Sequence, residues 1–340
     1  MNLAKIYIGP VTQNVIDAVI EFVEETNISI GFIPSRRQIE WSGGYTGYNT
    51  FDFIKYVKSK TNKVLLCRDH GGLFQGQFSK IKGVTPTKSE DLKSLICDAI
   101  SGVDIIHIDP WKKYSKPEQY ELGLNETVNN IILINQINDK IKFEIGTEEA
   151  IKPYVDNDLF RLLNDIEYEL GDIFRKNVKY VVIQSGTRLE GTKNIGKFDL
   201  EKLKDMVKVC KHFNIFSKEH NGDYLSDEEI KIRFDNGLDA INIAPEFGVI
   251  ETKVLLDNIK NKKDFEKIYD ICLTGGNWKK WIPSEYHVKR HLEDSHKKHL
   301  IEICGHYHNK EIKEIIKIDN EIIKKELKNK LKNLYKISNN

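Results

Sequence analysis

The chain has 340 residues, with 52 Lys or Arg against 51 Asp or Glu, so its formal net charge is only +1. This balance gives no reason to expect nucleic acid or an acidic membrane surface as the main partner. No apolar stretch approaches the roughly 18 residues that a membrane-spanning helix needs, and no apolar leader follows the first Met. We therefore expect a cytoplasmic protein with no membrane partner.

The first 260 residues alternate apolar, strand-like runs with helical runs. A strand over 5–8 precedes a helix over 12–25 whose apolar residues recur at helical spacing, and further helices are predicted over 50–60 and 89–101. The other seven strands are predicted over 28–33, 64–67, 103–108, 141–145, 178–184, 213–217 and 238–244. Strands that alternate with helices in this way form parallel sheets with right-handed crossovers.

Eight such units favour a closed barrel over an open dinucleotide-binding sheet, because no G-x-G-x-x-G follows the first strand. The fold class predicted is therefore α/β, an eight-stranded β/α (TIM) barrel over residues 1–260. Residues 261–340 are predicted to form a helical C-terminal extension packed on the barrel. Loops at 273–281 and helices over 286–304 and 309–335 are expected there.

The five cysteines contain no C-x-x-C pair. Their scatter argues against a disulfide framework and against a structural zinc site. We expect all five to be reduced core thiols: Cys67, Cys97, Cys210, Cys272 and Cys304.

The third predicted strand organises the candidate site, because it runs straight into Asp69-His70-Gly71-Gly72. Barrel enzymes present their catalytic groups at the C-terminal ends of strands. Adjacent strand residues point to opposite faces, so Asp69 and His70 share a face only if the strand breaks near Gly71. The fourth strand ends His107-Ile108-Asp109, in which we place Asp109 at the rim and interpret His107 as filling the barrel interior.

The predicted strand ends together collect acids and imidazoles, namely Asp69, His70, Asp109, Glu148, Glu219, His220 and Asp223. This mixture suits a divalent metal with open coordination positions, beside which a carboxylate can move protons. No H-E-x-x-H motif fixes a geometry. The residues alone therefore predict a barrel enzyme, with or without a metal.

The loop that follows the second strand, residues 35–47, is long, polar and rich in glycine and aromatic residues. Such a composition is typical of a segment that closes over a substrate. Arg36 and Arg37 in this loop are candidates to hold an anion, the alternative being a solvated basic turn.

Several short motifs occur in the order found in one known family: Gln38 followed by Gly43-Gly44-Tyr45-Thr46-Gly47, then Asp69-His70, His107-Ile108-Asp109, Ile145-Gly146-Thr147-Glu148, Gln184-Ser185-Gly186 and Glu219-His220-Asn221-Gly222-Asp223-Tyr224. Over residues 4–285 the chain resembles the non-catalytic (Z-type) subunit family of class II D-tagatose-bisphosphate aldolases, which includes ketose-phosphate 4-epimerases. The resemblance implies a β/α barrel and a metal-dependent sugar or sugar-phosphate aldolase or epimerase using retro-aldol and aldol chemistry. It also leaves open a non-catalytic role as the stabilising subunit of a separate aldolase, or an unrelated barrel chemistry.

The resemblance implies a role for each matching residue. The metal, zinc in the first instance with manganese or magnesium as alternatives, is expected on His70, Glu219 and His220, with Glu148 able to replace Glu219. Acid and base roles are expected for Asp69, Asp109 and Glu148. Substrate contacts are expected from Arg36, Gln38, Gly44, Tyr45, Gln184, Arg188 and Asp223. The expected partners are a small sugar or sugar phosphate, a second copy of the chain, and a catalytic aldolase subunit if the role is non-catalytic.

Two departures from the family predict an altered substrate. Ala244-Pro245-Glu246-Phe247-Gly248 follows the eighth strand, where family members have small residues, and the carboxylate of Glu246 would repel a phosphate at the helix N-terminus. The segment Cys304-Gly305-His306-Tyr307-His308 replaces the family's basic, tyrosine-rich signature. We expect a different sugar or one without a terminal phosphate, with Arg36, Arg37 or Arg188 holding any anionic group elsewhere.

Overall fold

The computed structural model describes residues 3–72, 74–76, 87–114, 116–147, 155–282 and 297–339. Within these ranges, eight parallel strands form a closed barrel in which each strand pairs with its neighbours in chain order and the last pairs with the first. This confirms the predicted TIM barrel. The strands are β1 (Ile6–Ile8), β2 (Ile30–Phe32), β3 (Val64–Gly71), β4 (Ile105–Ile108), β5 (Lys142–Ile145), β6 (Val178–Ile183), β7 (Phe216–Glu219) and β8 (Ala240–Ile243).

Helices surround the barrel and continue into the C-terminal part. Those of the barrel region are α1 (Gln13–Thr26), α2 (Thr50–Lys60), α3 (Lys88–Ser101), α4 (Tyr120–Ile137), α5 (Asp156–Leu170), α6 (Asp172–Asn177), α7 (Leu200–His212), α8 (Asp227–Asp235) and α9 (Pro245–Asp257). They are followed by α10 (Lys262–Gly275), α11 (Lys297–Cys304), α12 (Asn309–Ile315) and α13 (Asn320–Asn339). Short 3-10 turns cover Pro117–Gln119 and Asn277–Lys280, and a two-stranded hairpin pairs Leu189–Glu190 with Lys193–Asn194.

Local sequence explains where the helices begin. The side chain of Thr87 accepts a hydrogen bond from the backbone N–H of Glu90, and the carboxylate of Glu90 accepts one from the backbone N–H of Thr87. Ser226 and Glu229 form the same capping box at α8. Capping boxes satisfy two backbone donors that a helix start otherwise leaves unpaired. The prediction for α2, residues 50–60, is confirmed at both ends.

The barrel interior is a packed floor beneath the strand ends. Tyr7 and Tyr180 meet inside it, with their hydroxyls 2.9 Å apart, and the Nζ of Lys218 lies 3.7 Å from the centre of the Tyr7 ring. A separate, larger apolar core fills the space between the strands and the helices. The interior of the barrel is therefore filled by side chains at the level of Tyr7 and Tyr180.

The seventh strand lies further along the chain than predicted. The apolar run at 213–217 predicts a strand there, but α7 continues to His212 and Asn214 turns the chain with φ of 55°. β7 therefore begins at Phe216, and Lys218 and Glu219 become strand residues. Because successive strand residues point to opposite faces, this shift decides where the side chain of Glu219 goes.

The C-terminal helix α13 packs against α1, α8 and α9. Ion pairs join Lys328 to Glu25 at 2.9 Å and Lys330 to Glu246 at 2.7 Å. The helical tail predicted over 309–335 consists of two helices, α12 and α13. Of the helix predicted over 286–304, only α11 lies within the described residues. In the described part of the chain, no helix combines the length and apolar character that crossing a membrane requires.

Two of the five cysteines are not reduced thiols. Cys272 in α10 and Cys304 at the end of α11 form a disulfide, with their Cα atoms 5.0 Å apart. The pairing joins segments 32 residues apart in the chain, which spacing alone does not reveal. The expectation of free, buried thiols holds for Cys67, Cys97 and Cys210.

Candidate metal centre and pocket

Four side chains meet at the C-terminal mouth of the barrel. Asp69 and His70 come from β3, His107 from β4, and His220 directly follows β7; one metal-binding atom from each lies within 4.8 Å of the others. The three imidazole ring centres are 4.9, 5.0 and 5.2 Å apart. Zinc–nitrogen bonds of about 2.0–2.1 Å in tetrahedral geometry place ring centres at about this spacing.

Carboxylates orient two of these rings. The Nδ1 of His70 lies 2.6 Å from Oδ2 of Asp109, which also accepts a hydrogen bond from the Gln75 amide at 2.7 Å. The Nε2 of His220 lies 2.7 Å from one oxygen of Glu144, whose other oxygen accepts from Lys218 Nζ at 2.6 Å. Carboxylates in this position fix the ring orientation and tautomer of metal-binding histidines.

The backbone of β3 brings both Asp69 and His70 to the same site. His70 has φ of 49°, in the left-handed region, so the simple alternation of strand side chains ends there. Gly72 then passes the carbonyl of Asp109 so closely that a Cβ would lie 2.2 Å from that oxygen. The break expected near Gly71 therefore occurs at His70. The absence of a side chain at Gly72 allows the chain after β3 to pass close to the end of β4.

The buried charges are arranged to compensate one another. Burial alone would raise the pKa of Asp69, but the neighbouring charges of His70, His107 and His220 hold it below its usual value. Burial opposes protonation of His70, yet Asp69 and Asp109 raise its pKa to about 9. Burial lowers the pKa of His220 even though Glu144 acts in the opposite direction. Asp69 is therefore ionised at neutral pH.

The donor set fits a divalent metal. Oδ1 of Asp69 and Nε2 of His107 are buried and have no hydrogen-bond partner among the described residues. Buried polar atoms without partners cost free energy, so they are uncommon unless a ligand or ion satisfies them. Imidazole nitrogens with a carboxylate oxygen are the ligands of catalytic zinc and related ions.

The structure brings together three of the residues that the sequence singled out, and adds one. Asp69, expected as an acid or base, lies beside His70 and His220, which were expected as ligands. His107, interpreted as filling the barrel interior, joins this group. The His-x-Asp sequence at the end of β4 was the feature that could have indicated a site role for His107. The sequence analysis did not single out Glu144 and Lys218, which hold His220 in place. A charged residue within an otherwise buried strand was the available signal for each of them.

Glu219, expected as a ligand, lies outside this group. Its Oε1 accepts from the backbone N–H of Ser185 at 2.6 Å, and its Oε2 is 2.8 Å from the Nε of Arg233. Glu219 points away from the barrel axis because its strand neighbours Lys218 and His220 point inward. Glu148, expected as a catalytic residue or ligand, lies outside the described residues.

A pocket of about 680 Å³ extends from the metal-binding group to the C-terminal extension. Gln38, Tyr45 and Asp223, expected to contact substrate, line it. Arg36 instead is buried and ion-paired, with its Nε 2.6 Å from Glu40 and its Nη1 2.7 Å from Asp91. It therefore holds the loop after β2 onto α3.

The other expected substrate residues lie outside the pocket lining among the residues described. Gln184 donates its amide to the carbonyl of Thr187 at 3.3 Å, and the side chain of Arg188 is exposed. Gly44 packs so tightly that a Cβ would lie 2.1 Å from the carbonyl oxygen of Gln38. Its role is to shape the loop that carries Tyr45.

Several pocket residues were not expected. Asn242 on β8 lines the pocket, and both polar atoms of its buried amide have no hydrogen-bond partner among the described residues. Trp281, His306 and Tyr307 from the C-terminal part form the opposite wall. The position of Asn242 within an apolar strand could have indicated a pocket residue. The sequence around residues 306 and 307 does not indicate that they lie at the mouth of the barrel.

A carboxylate occupies the N-terminus of α9. Oδ1 of Asp223 accepts hydrogen bonds from the backbone N–H groups of Ala244 at 2.9 Å and Glu246 at 2.8 Å. Burial, together with the charge of Glu246, raises the pKa of Asp223 to about 7. The protein's own side chain thus takes the position at which many barrels bind phosphate.

Solved structures share this fold at low sequence identity. A probable tagatose 6 phosphate kinase from Sinorhizobium meliloti 1021 superposes with a TM-score of 0.72 at 14% identity, over 98% of this chain and all of that one. The fructuronate-tagaturonate epimerase UxaE from Cohnella laeviribosi, complexed with one glycerol, gives 0.64 at 11% identity over 98% and 81% of the two chains. The fructose-bisphosphate aldolase Fba from Campylobacter jejuni gives 0.52 at 16% identity over 99% and 91%. Neither the protein-family models nor the curated proteins give a match to this chain.

Proposed function

We propose that this protein is a metal-dependent enzyme that breaks and re-forms a carbon–carbon bond of a ketose, as an aldolase or a C4 epimerase. The observation that carries the proposal is the triangle of His70, His107 and His220, with Asp69 beside it at the mouth of the pocket. The fold likeness to an aldolase and to a sugar epimerase supports the same chemistry. Membership of the Z-type aldolase subunit family is part of this proposal.

The three histidines are the residues that would hold the metal, and Asp69 lies beside them. A divalent ion, when bound, supplies a positive charge that polarises a substrate carbonyl. Asp109 and Glu144 keep His70 and His220 oriented for this role through hydrogen bonds of 2.6 and 2.7 Å. Zinc fits the nitrogen-rich donor set best.

Asp69 is the residue that we propose to move the proton. In the cleavage direction its Oδ1 accepts the proton of the hydroxyl on C4 while the bond between C3 and C4 breaks, giving an aldehyde and a three-carbon enolate. In the synthetic direction the bond re-forms and the proton returns to the C4 oxygen. Epimerisation requires one additional event, rotation of the aldehyde between the two steps.

Two neighbouring groups would hold the substrate during this chemistry. The amide of Asn242, which has no hydrogen-bond partner in the described part of the chain, offers a donor and an acceptor to a sugar hydroxyl. The aromatic wall of Trp281 and Tyr307 would exclude water from the pocket. A non-catalytic subunit would have no need to keep buried polar atoms unpaired, so these atoms favour an enzyme over a purely stabilising partner.

Turnover of a ketose panel tests the proposal. The protein, stripped of metal and then reloaded with zinc, manganese or magnesium, would be incubated with ¹³C-labelled ketohexoses, ketose phosphates and ketohexuronates. We expect cleavage, or exchange of configuration at C4, only in metal-loaded samples. Absence of turnover with every metal and every member of the panel would favour the stabilising-subunit role.

A further inference from the structure

We propose that Arg37 binds the anionic end group of the substrate, a carboxylate or a phosphate, at the end of the pocket formed by the loop after β2 and the C-terminal extension. This inference rests on the proposed function for the nature of the substrate as a ketose. It adds the place in the pocket that receives the acidic end of the substrate and the residue that binds it.

Among the described residues, Arg37 is the arginine that lines the pocket and can contact a ligand there. Its Nε is buried with no hydrogen-bond partner among the described residues, and the residue lines the pocket. The adjacent Arg36 is bound by Glu40 and Asp91 and faces α3, not the pocket. An arginine that faces a cavity with an unpaired, desolvated N–H is suited to a carboxylate or phosphate, which accepts two parallel hydrogen bonds from the guanidinium fork.

The surroundings of Arg37 favour an anion. Tyr45 and Tyr307 flank it, with their ring centres 6.0 Å apart, and Lys280 and Lys310 line the same pocket. The acidic residue Glu311 also lines the pocket. Aromatic walls lower the local dielectric, which strengthens the attraction between a guanidinium and an anion. Burial also lowers the pKa of Arg37, a cost that a bound anion would offset.

The alternative anion position in the barrel is closed. The carboxylate of Asp223 already accepts the N–H groups of Ala244 and Glu246 at the start of α9, and Glu246 adds a second acid there. An anionic substrate group would be repelled from that side of the pocket. The charge distribution would therefore orient a ketose with its acidic end at Arg37 and its reacting carbons toward Asp69.

Binding measurements on the full-length, zinc-loaded protein test this inference. Calorimetric titrations would use three probes of the same carbon skeleton: D-fructose, D-fructuronate and D-fructose 6-phosphate. The variants are Arg37→Gln and Arg37→Lys, with Arg175→Gln on the exposed surface of α6 as a matched control. Zinc content and circular dichroism spectra establish that each variant is folded and loaded.

We expect the wild type to bind at least one acidic probe more tightly than D-fructose. Arg37→Gln should weaken that binding roughly ten- to hundredfold, the effect of losing a hydrogen bond between charged partners, while binding of D-fructose changes less than about twofold. Arg37→Lys should recover part of the loss, and Arg175→Gln should match the wild type. The probe that loses affinity identifies the end group as carboxylate or phosphate.

Unchanged affinity for both acidic probes in Arg37→Gln would overturn the inference, as would a wild type that does not prefer acidic probes. These results are separable from failure of the proposed function. Loss of acidic selectivity in Arg37→Gln without turnover in any sample would retain the anion site and reject the reaction. Turnover that is indifferent to Arg37 and to substrate charge would retain the reaction and reject the anion site.

Discussion

The Nδ1 of His70 lies 2.6 Å from Oδ2 of Asp109, and Gln75 donates to the same oxygen. From this contact we propose that Asp109 positions His70 and does not act as a second proton carrier. Asp109→Ala should therefore weaken zinc binding by roughly 10–100-fold, the range seen when the carboxylate partner of a metal-binding histidine is removed. Competition with a chromophoric chelator measures this affinity. If zinc affinity were unchanged while turnover disappeared, Asp109 would have a direct role in the chemistry.

Asp69 is expected to have the opposite signature. Asp69→Asn keeps the size and polarity of the side chain but cannot accept the hydroxyl proton, so kcat should fall about 10²- to 10⁴-fold. The zinc content should stay close to stoichiometric, because three imidazoles remain. Steady-state kinetics with metal analysis of the same sample checks both points. A variant that lost its zinc in parallel with its activity would show that Asp69 acts as a ligand.

Arg36 should affect stability, because both of its partners are buried. Arg36→Met removes the cation from Glu40 and Asp91, which leaves buried carboxylates uncompensated, and the free energy of unfolding should fall by about 3–5 kcal/mol. Urea denaturation measures the change. Arg175→Met, which removes an exposed arginine paired with Asp172, is the control and should unfold close to the wild type. Wild-type stability in Arg36→Met would mean that the Arg36 ion pairs contribute little.

Asp223 should make stability depend on pH. In the folded protein its pKa is about 7, whereas its ordinary value is 3.8. The folded state therefore holds a proton that the unfolded chain has released, and the stability contributed by this group falls as pH rises from about 4 to about 7. Asp223→Asn keeps an oxygen for the N–H groups of Ala244 and Glu246 without this titration.

The melting temperature of Asp223→Asn should exceed that of the wild type at pH 8 and approach it at pH 5. Differential scanning calorimetry at the two pH values gives the comparison. An equal difference at both pH values would mean that Asp223 does not titrate in this window.

The barrel could be predicted from sequence because its signals are local. Apolar runs alternate with amphipathic helices, and the helix predicted over 89–101 begins one residue earlier, at Lys88, after the cap Thr87. The error at β7 arose where Phe213 and Ile215 continue the apolar run through a turn at Asn214, so that hydrophobicity alone could not locate the strand start. That shift of three residues assigned Glu219 to a loop and concealed that it points away from the axis.

The sequence could indicate that Asp69, His70 and His220 lie near one another, because each is at the C-terminal end of a barrel strand. The site was not predictable where long-range packing decides the role of a side chain. Arg36 and Arg37 are adjacent in sequence, yet Arg36 is ion-paired with Asp91 on α3, whereas Arg37 lines the pocket. The wall formed by His306 and Tyr307 likewise depends on how the C-terminal extension packs on the barrel.

The central claim is that His70, His107 and His220 hold one metal ion, and X-ray absorption at the zinc edge tests it most directly. The account predicts three imidazole ligands at about 2.0–2.1 Å in the wild type. Two should remain in His107→Ala if zinc is retained, and all three should remain in Glu219→Gln. A wild-type spectrum with fewer than three imidazole ligands would contradict this claim. So would a spectrum of zinc-loaded His107→Ala that is identical to that of the wild type.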